Sequence, residues 1–69
     1  MKVKIYNYQT ENNKRADLLI TELDLIPIIG HGIDFYYKDE IYWASVEQID
    51  YCFNSDHKFS HIDIKISHF

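Results

Sequence analysis

The sequence predicts a small, mainly β domain, an antiparallel sheet of about five strands curled towards a barrel, and three observations carry that expectation. Apolar residues alternate with polar ones near both ends of the chain: Val3 and Ile5 against Lys2 and Lys4, and Ile62, Ile64 and Ile66 against His61, Asp63, Lys65 and Ser67. That period of two is the signature of a half-buried strand. The segments between them are short and divided by turn-prone residues.

Lys2 to about Gln9 reads as the first strand, followed by a polar loop over Thr10-Glu11-Asn12-Asn13-Lys14. The next segment fits two patterns. Ala16, Leu19, Ile20, Leu23 and Ile26 make a helical stripe, whereas Leu19, Thr21, Leu23 and Leu25 make one face of a strand with Glu22 and Asp24 opposite. The extended form is favoured over Leu18 to Leu25, because no N-cap introduces a clean helical run and Ile26 precedes Pro27, which disfavours helical backbone there. Gly30-His31-Gly32 uses both glycines of the chain and reads as a tight turn. Ile33 to Tyr37 and Glu40 to Ala44 flank Lys38-Asp39 as a hairpin, with Asp at a position that tolerates a left-handed conformation.

Beyond the hairpin the register conflicts with itself. Ile41 and Trp43 share one parity, Val46 has the other, and Ile49, Tyr51 and Phe53 return to the first. A bulge or sharp bend between Ser45 and Gln48 reconciles them, and bulges are how small sheets curl. Asn54-Ser55-Asp56-His57-Lys58 is a second polar loop before the isoleucine-rich last strand. The expected core takes Val3, Ile5, Leu23, Ile41, Ile62, Ile64 and Ile66. Together, Leu25-Ile26-Pro27-x-Ile29-Gly30, a hairpin, a bent aromatic strand and a final isoleucine strand resemble the short SH3-like or OB-like β-barrel proteins of bacteria and phages. The resemblance spans Leu23 to Ile66 and implies a fold, with no functional residue attached to it.

At 69 residues the chain reads as one domain. Folding at this size buries only about 60% of the unfolded chain's surface, so such domains lean on disulfides, metals or association. Cys52 is the one cysteine, which excludes an internal disulfide and suits a reducing cytoplasm. Within Ile49 to Phe53 it reads as a small buried hydrophobe. A net charge of −4 gives no footprint for a phosphate backbone, so no nucleic-acid partner is expected. No segment approaches the roughly 18 apolar residues of a membrane span, so no membrane partner is expected either. The prevalence of Ile, Lys and Tyr over Val, Arg and Ala suggests an A/T-rich genome, such as that of a low-GC bacterium or its phage.

Chemistry-bearing constellations are sparse. His61 and Asp63 project to one face beside Asp56 and His57, offering imidazole and carboxylate ligands, yet that face is also where a solvated polar surface belongs. No metal or cofactor is therefore expected. His31 between two glycines reads as an exposed loop histidine, and Gly-His-Gly lacks the spacing of a phosphate-binding loop. Ser45, Ser55, Ser60 and Ser67 sit in no nucleophile pattern, so no catalytic residue is assigned and the chain is read as a non-enzyme.

Aromatic content is what points to a function. Six Tyr, four Phe and one Trp are more than so small a core can enclose. Tyr and Trp left outside act most often as contact residues. Phe35-Tyr36-Tyr37 and Tyr42-Trp43 lie on the hairpin, so whichever parity faces inward, rings of the other face out. Tyr36, Tyr37, Tyr42 and Trp43, with Asp39 and Glu40 at the turn, are the candidate partner-binding residues. The acidic Asp34, Asp39, Glu40, Glu47 and Asp50 around them oppose a polyanion. The expected activity is protein binding by an inhibitor or regulator that occupies a partner's surface, with a homodimer as the expected assembly. The alternative is a small-ligand, nucleotide-like binder with aromatic stacking at a dimer cleft.

Overall fold

In the computed structural model, which describes residues 1–68, five strands follow one another: β1 (Lys2–Tyr8), β2 (Arg15–Glu22), β3 (Gly32–Tyr37), β4 (Glu40–Phe53) and β5 (Phe59–Ile66). Phe69 lies outside the described residues. The sheet runs in the order β2-β1-β5-β4-β3 and curls into a half-barrel with β2 and β3 as its two edges. Three pairings are antiparallel, but β1 and β5 run parallel, so the sheet is mixed where a fully antiparallel one was expected. Alternation cannot report strand direction, since a parallel and an antiparallel neighbour bury the same residues.

The core fills the concave face. Val3 and Ile5 of β1 lie opposite Ile62 and Ile64 of β5, and Ile66, Phe35, Ala44 and Val46 complete the buried cluster. Leu18, Leu19, Leu23, Ile26, Ile33, Tyr37, Tyr42 and Ile49 pack around it, partly buried.

A register shift in the β1–β2 ladder explains the ambiguous segment. Ile5 faces Leu19 and Tyr6 faces Asp17, which leaves Leu18 as an extra residue in β2. The shift lets both Leu18 and Leu19 reach the core and mimics helical spacing in a strand. The strand ends at Glu22, so Leu25, expected on its inner face, is instead 84% exposed in the connection to β3.

The bend expected between Ser45 and Gln48 is present as a second shift, with Val46 opposite Ile66 and Gln48 opposite Lys65. Before it, Tyr42, Ala44 and Val46 point inward; after it, Ile49 does. Ile41 was expected in the core and is instead 61% exposed, because the bulge aligns Val46 with Ile49 and leaves Ile41 and Trp43 on the outer face. Val46 also marks where β4 changes partner. On one side its N–H donates to the His31 carbonyl and its carbonyl accepts from Gly30 N–H, both at 2.8 Å. Gly30 makes this turn at φ +94°, a region glycine enters without steric cost.

Candidate functional site

The β3–β4 hairpin is closed by two residues, Lys38 at φ 50° and Asp39 at φ 66°, the left-handed pair of a type I′ turn. Such a turn makes Tyr37 and Glu40 a hydrogen-bonded pair, and the alternation then continues through Phe35/Tyr42 and Ile33/Ala44. The His31–Val46 bond falls on the same parity. Asp34 and Tyr36 are therefore the residues whose backbone N–H and C=O point away from β4, along the sheet's open edge.

The same alternation sorts the side chains. Tyr36 pairs with Ile41 and Asp34 with Trp43, and these four stand together on the outer face. Tyr36 is 72% exposed and Trp43 63%. Tyr37 and Tyr42 face the other way and are half-buried against the core, Tyr42 with its ring centroid 6.3 Å from that of Phe35. Tyr42 Oη donates to Glu40 Oε2 at 2.7 Å, a bond that holds the Tyr42 hydroxyl above its ordinary pKa. Asp39 stands exposed at the turn. The six expected binding residues thus divide: Tyr36 and Trp43 form one outer surface, Tyr37 and Tyr42 pack inward, and Asp39 and Glu40 lie at the hairpin's end.

Trp43 is held in place by an absence. A Cβ on Gly32 would collide with Nε1 of the indole and lie 2.9 Å from Cε2 and 3.1 Å from Cζ2, so the ring lies against bare Gly32 backbone. Gly32 was expected to serve the turn. It opens β3 instead and gives the indole a seat.

A second cluster occupies the outer face of β2, β1, β5 and the far half of β4. Arg15 Nη1 and Nη2 donate to the two Asp63 oxygens at 3.0 and 3.1 Å, and its Nε donates to Asp17 at 2.7 Å. The guanidinium stacks 3.9 Å over the Tyr6 ring, itself buried. This fork holds the Asp63 carboxyl below its usual range, and burial pushes the Tyr6 hydroxyl up. His61 Nε2 lies 3.1 Å from Asp63 Oδ1, the contact expected of residues two apart on a strand. His57 and Asp56 sit, as expected, in the loop between β4 and β5, exposed, where Asn54 Oδ1 accepts from the backbone of Asp56 and Lys58.

The third possible ligand beside His61 and Asp63 is Cys52, not a loop residue. It pairs across the ladder with His61, and Cys52, His61 and Asp63 bring possible ligand atoms within 4.8 Å of one another. Cys52 is half-buried on the polar face, not in the core; its parity, opposite to that of Ile49 and Tyr51, was the available signal. Burial raises the thiol's pKa, which weakens it as a nucleophile and as a ligand. Both Asp63 oxygens already face a guanidinium, so a cation there would meet like charge.

On the concave side a cleft of about 410 Å³ opens between β2, β3 and their connection, lined among others by Ile5, Leu19, Leu23, Ile26, Ile33 and Phe35. Beside it Leu25, Ile28 and Ile29 stand exposed in the connection. Among the described residues no helix is long and apolar enough to cross a membrane. Compared with known proteins, the chain matches no family model, no curated protein and no solved structure.

Proposed function

We propose that this chain is a non-enzymatic protein-binding module whose contact surface is the outer face of the β3–β4 hairpin. One observation supports this above others: Tyr36 of β3 and Ile41 and Trp43 of β4 stand side by side in solvent, 72%, 61% and 63% exposed, next to the β3 edge, which has no strand beyond it. Tyr and Trp dominate the energetics of protein contacts, and unsheltered edges invite pairing. Asp39 adds a charged group at the hairpin's end, while Glu40 lies on the inner parity with Tyr37 and Tyr42. A small acidic module of this kind suits an inhibitor or regulator of bacterial, phage or mobile-element origin that blocks a partner's surface in the cytoplasm, where Cys52 stays reduced.

Self-association has its own surface. Leu25, Ile28 and Ile29 expose aliphatic side chains in one connection, and runs of exposed apolar residues favour burial against a second copy. On this reading the module works as a homodimer joined through that connection. Sedimentation at micromolar concentration then reports twice the chain mass, and Leu25→Ser with Ile28→Ser reports the monomer; a wild-type monomer overturns the dimer. The contact surface is tested by affinity capture from the source cells. Wild type retains a protein that Trp43→Ala and Tyr36→Ala lose while keeping their thermal midpoints; equal capture by all three overturns the reading.

A second reading, small-ligand binding, draws support from the concave cleft. Its aliphatic wall suits an apolar molecule and not the nucleotide-like ligand first expected. An apolar dye that binds with saturation and is displaced by Leu19→Trp supports it.

A further inference from the structure

We infer that the hairpin surface takes an extended, cationic segment of its partner, added as a sixth strand along β3 with an Arg or Lys side chain seated between Trp43 and Asp34. The inference rests on the protein-binding reading of this face and names the chemistry of the partner.

Three observations converge on it. First, the backbone donors and acceptors of Asp34 and Tyr36 are those that alternation aims away from β4, and β3 ends the sheet. An incoming strand gains main-chain hydrogen bonds there. Second, the side chains on the outer face at that edge belong to the same two residues. Asp34 lies directly across from Trp43, and Tyr36 across from Ile41, so an incoming residue on the outer face meets a carboxylate and two exposed rings at once. An aromatic face beside a carboxylate is the pairing that an alkylammonium or guanidinium recognises, through the ring's negative face and a charge-assisted hydrogen bond.

Third, the charges nearby fit a cation. The Asp34 carboxylate, like most acidic side chains of the chain, has no ion pair among the described residues, so its charge is open to a cation from outside. Asp39 and Glu40 add negative charge at the hairpin's end, where Lys38 turns its ammonium to 5.3 Å from the Tyr37 ring centroid. The other sheet edge is defended differently. β2 presents Arg15, Asp17 and Glu22, charges of both signs that discourage pairing. β3 carries a single charge of one sign. A second copy fits the β3 edge less well, since it would bring two Asp34 carboxylates close in a chain already at −4.

The test uses Trp43, the only tryptophan, as an internal fluorescent reporter. Titrate the full chain with an eight-residue extended peptide alternating Arg and Val, with its citrulline and glutamate counterparts, and with an Arg peptide N-methylated at alternate residues. The Arg peptide is expected to bind at micromolar concentration, shift the Trp43 emission, and slow hydrogen exchange at the Asp34 and Tyr36 amides. Asp34→Asn should weaken it about threefold to fivefold, and Trp43→Ala about tenfold or more. Asp34→Asn is isosteric and exposed, so it keeps the fold. Raising the salt should weaken the Arg peptide alone, and N-methylation should abolish binding. If citrulline binds as well as Arg, the cationic partner is overturned and strand addition stands. If the N-methylated peptide binds as well, strand addition is overturned. If no peptide binds while Trp43-dependent capture persists, the whole inference fails and the protein-binding reading survives. If Asp34 and Tyr36 amides become protected on concentrating the protein alone, a second copy holds the edge and the inference fails.

Discussion

Trp43 owes its position to the residue beneath it. With no Cβ at Gly32, the indole lies close against the Gly32 backbone while staying exposed. Gly32→Ala would push the ring outward. Because that ring is a surface group, the expected cost in stability is small, about 1 kcal/mol, while the Trp43 emission shifts and partner capture drops. A capture level equal to wild type would show that the seat has no part in binding. Asp63 illustrates a different residue-scale effect. Arg15 lowers its folded-state pKa, so the contribution is complete above the ordinary carboxylate range and is lost as pH falls through about 4 and then through the lower folded value. Wild type should therefore be more stable than Asp63→Asn at neutral pH, with the gap in thermal midpoint closing towards pH 2. A gap that persisted there would mean packing, not charge, sets the difference.

At the scale of elements, the sequence revealed strands better than it revealed faces. The hairpin, its two-residue turn and the bend near Val46 were all legible, because glycines, Asp39 and a parity conflict mark them. Which side of the hairpin faces inward was not legible, since Phe35, Tyr37 and Tyr42 are as apolar as Tyr36, Ile41 and Trp43. Ile41 was misplaced for that reason: isoleucine on a strand argues for burial, and only the ladder shows that Ala44 and Val46 hold the inner parity. Cys52 was hidden by apolar neighbours whose faces alternate. The turn itself supports a prediction. Lys38 and Asp39 both adopt positive φ, which residues with a Cβ enter at a cost. Replacing the pair by Asn-Gly should stabilise the protein by roughly 1 kcal/mol and raise its thermal midpoint. An unchanged or lower midpoint would show that the Lys38 and Asp39 side chains themselves support the hairpin.

For the molecule as a whole, stability depends on a core barely one layer deep. Ile64 is fully buried between β1 and β4, facing Ile5 on one side and Ile49 on the other. Ile64→Ala should cost about 2 to 5 kcal/mol, which is comparable to the whole stability of a domain this small, and should appear as loss of the cooperative transition in circular dichroism. A folded variant with only a slightly lowered midpoint would mean that association supplies most of the stability.

The sheet order β2-β1-β5-β4-β3 puts β5, made after the other four strands, at the centre. A nascent chain leaving the ribosome can form the β1–β2 and β3–β4 hairpins early, for each closes a short loop. Neither hairpin has anything to pack on. Only when Ile62, Ile64 and Ile66 emerge can the two halves be joined, and the parallel pairing with β1 then closes a loop that spans most of the chain. Until that moment the aliphatic faces of both hairpins are open to other proteins. Translation thus imposes a waiting period on this chain, and a chaperone that covers β1 and β2 during it should raise the yield of folded protein.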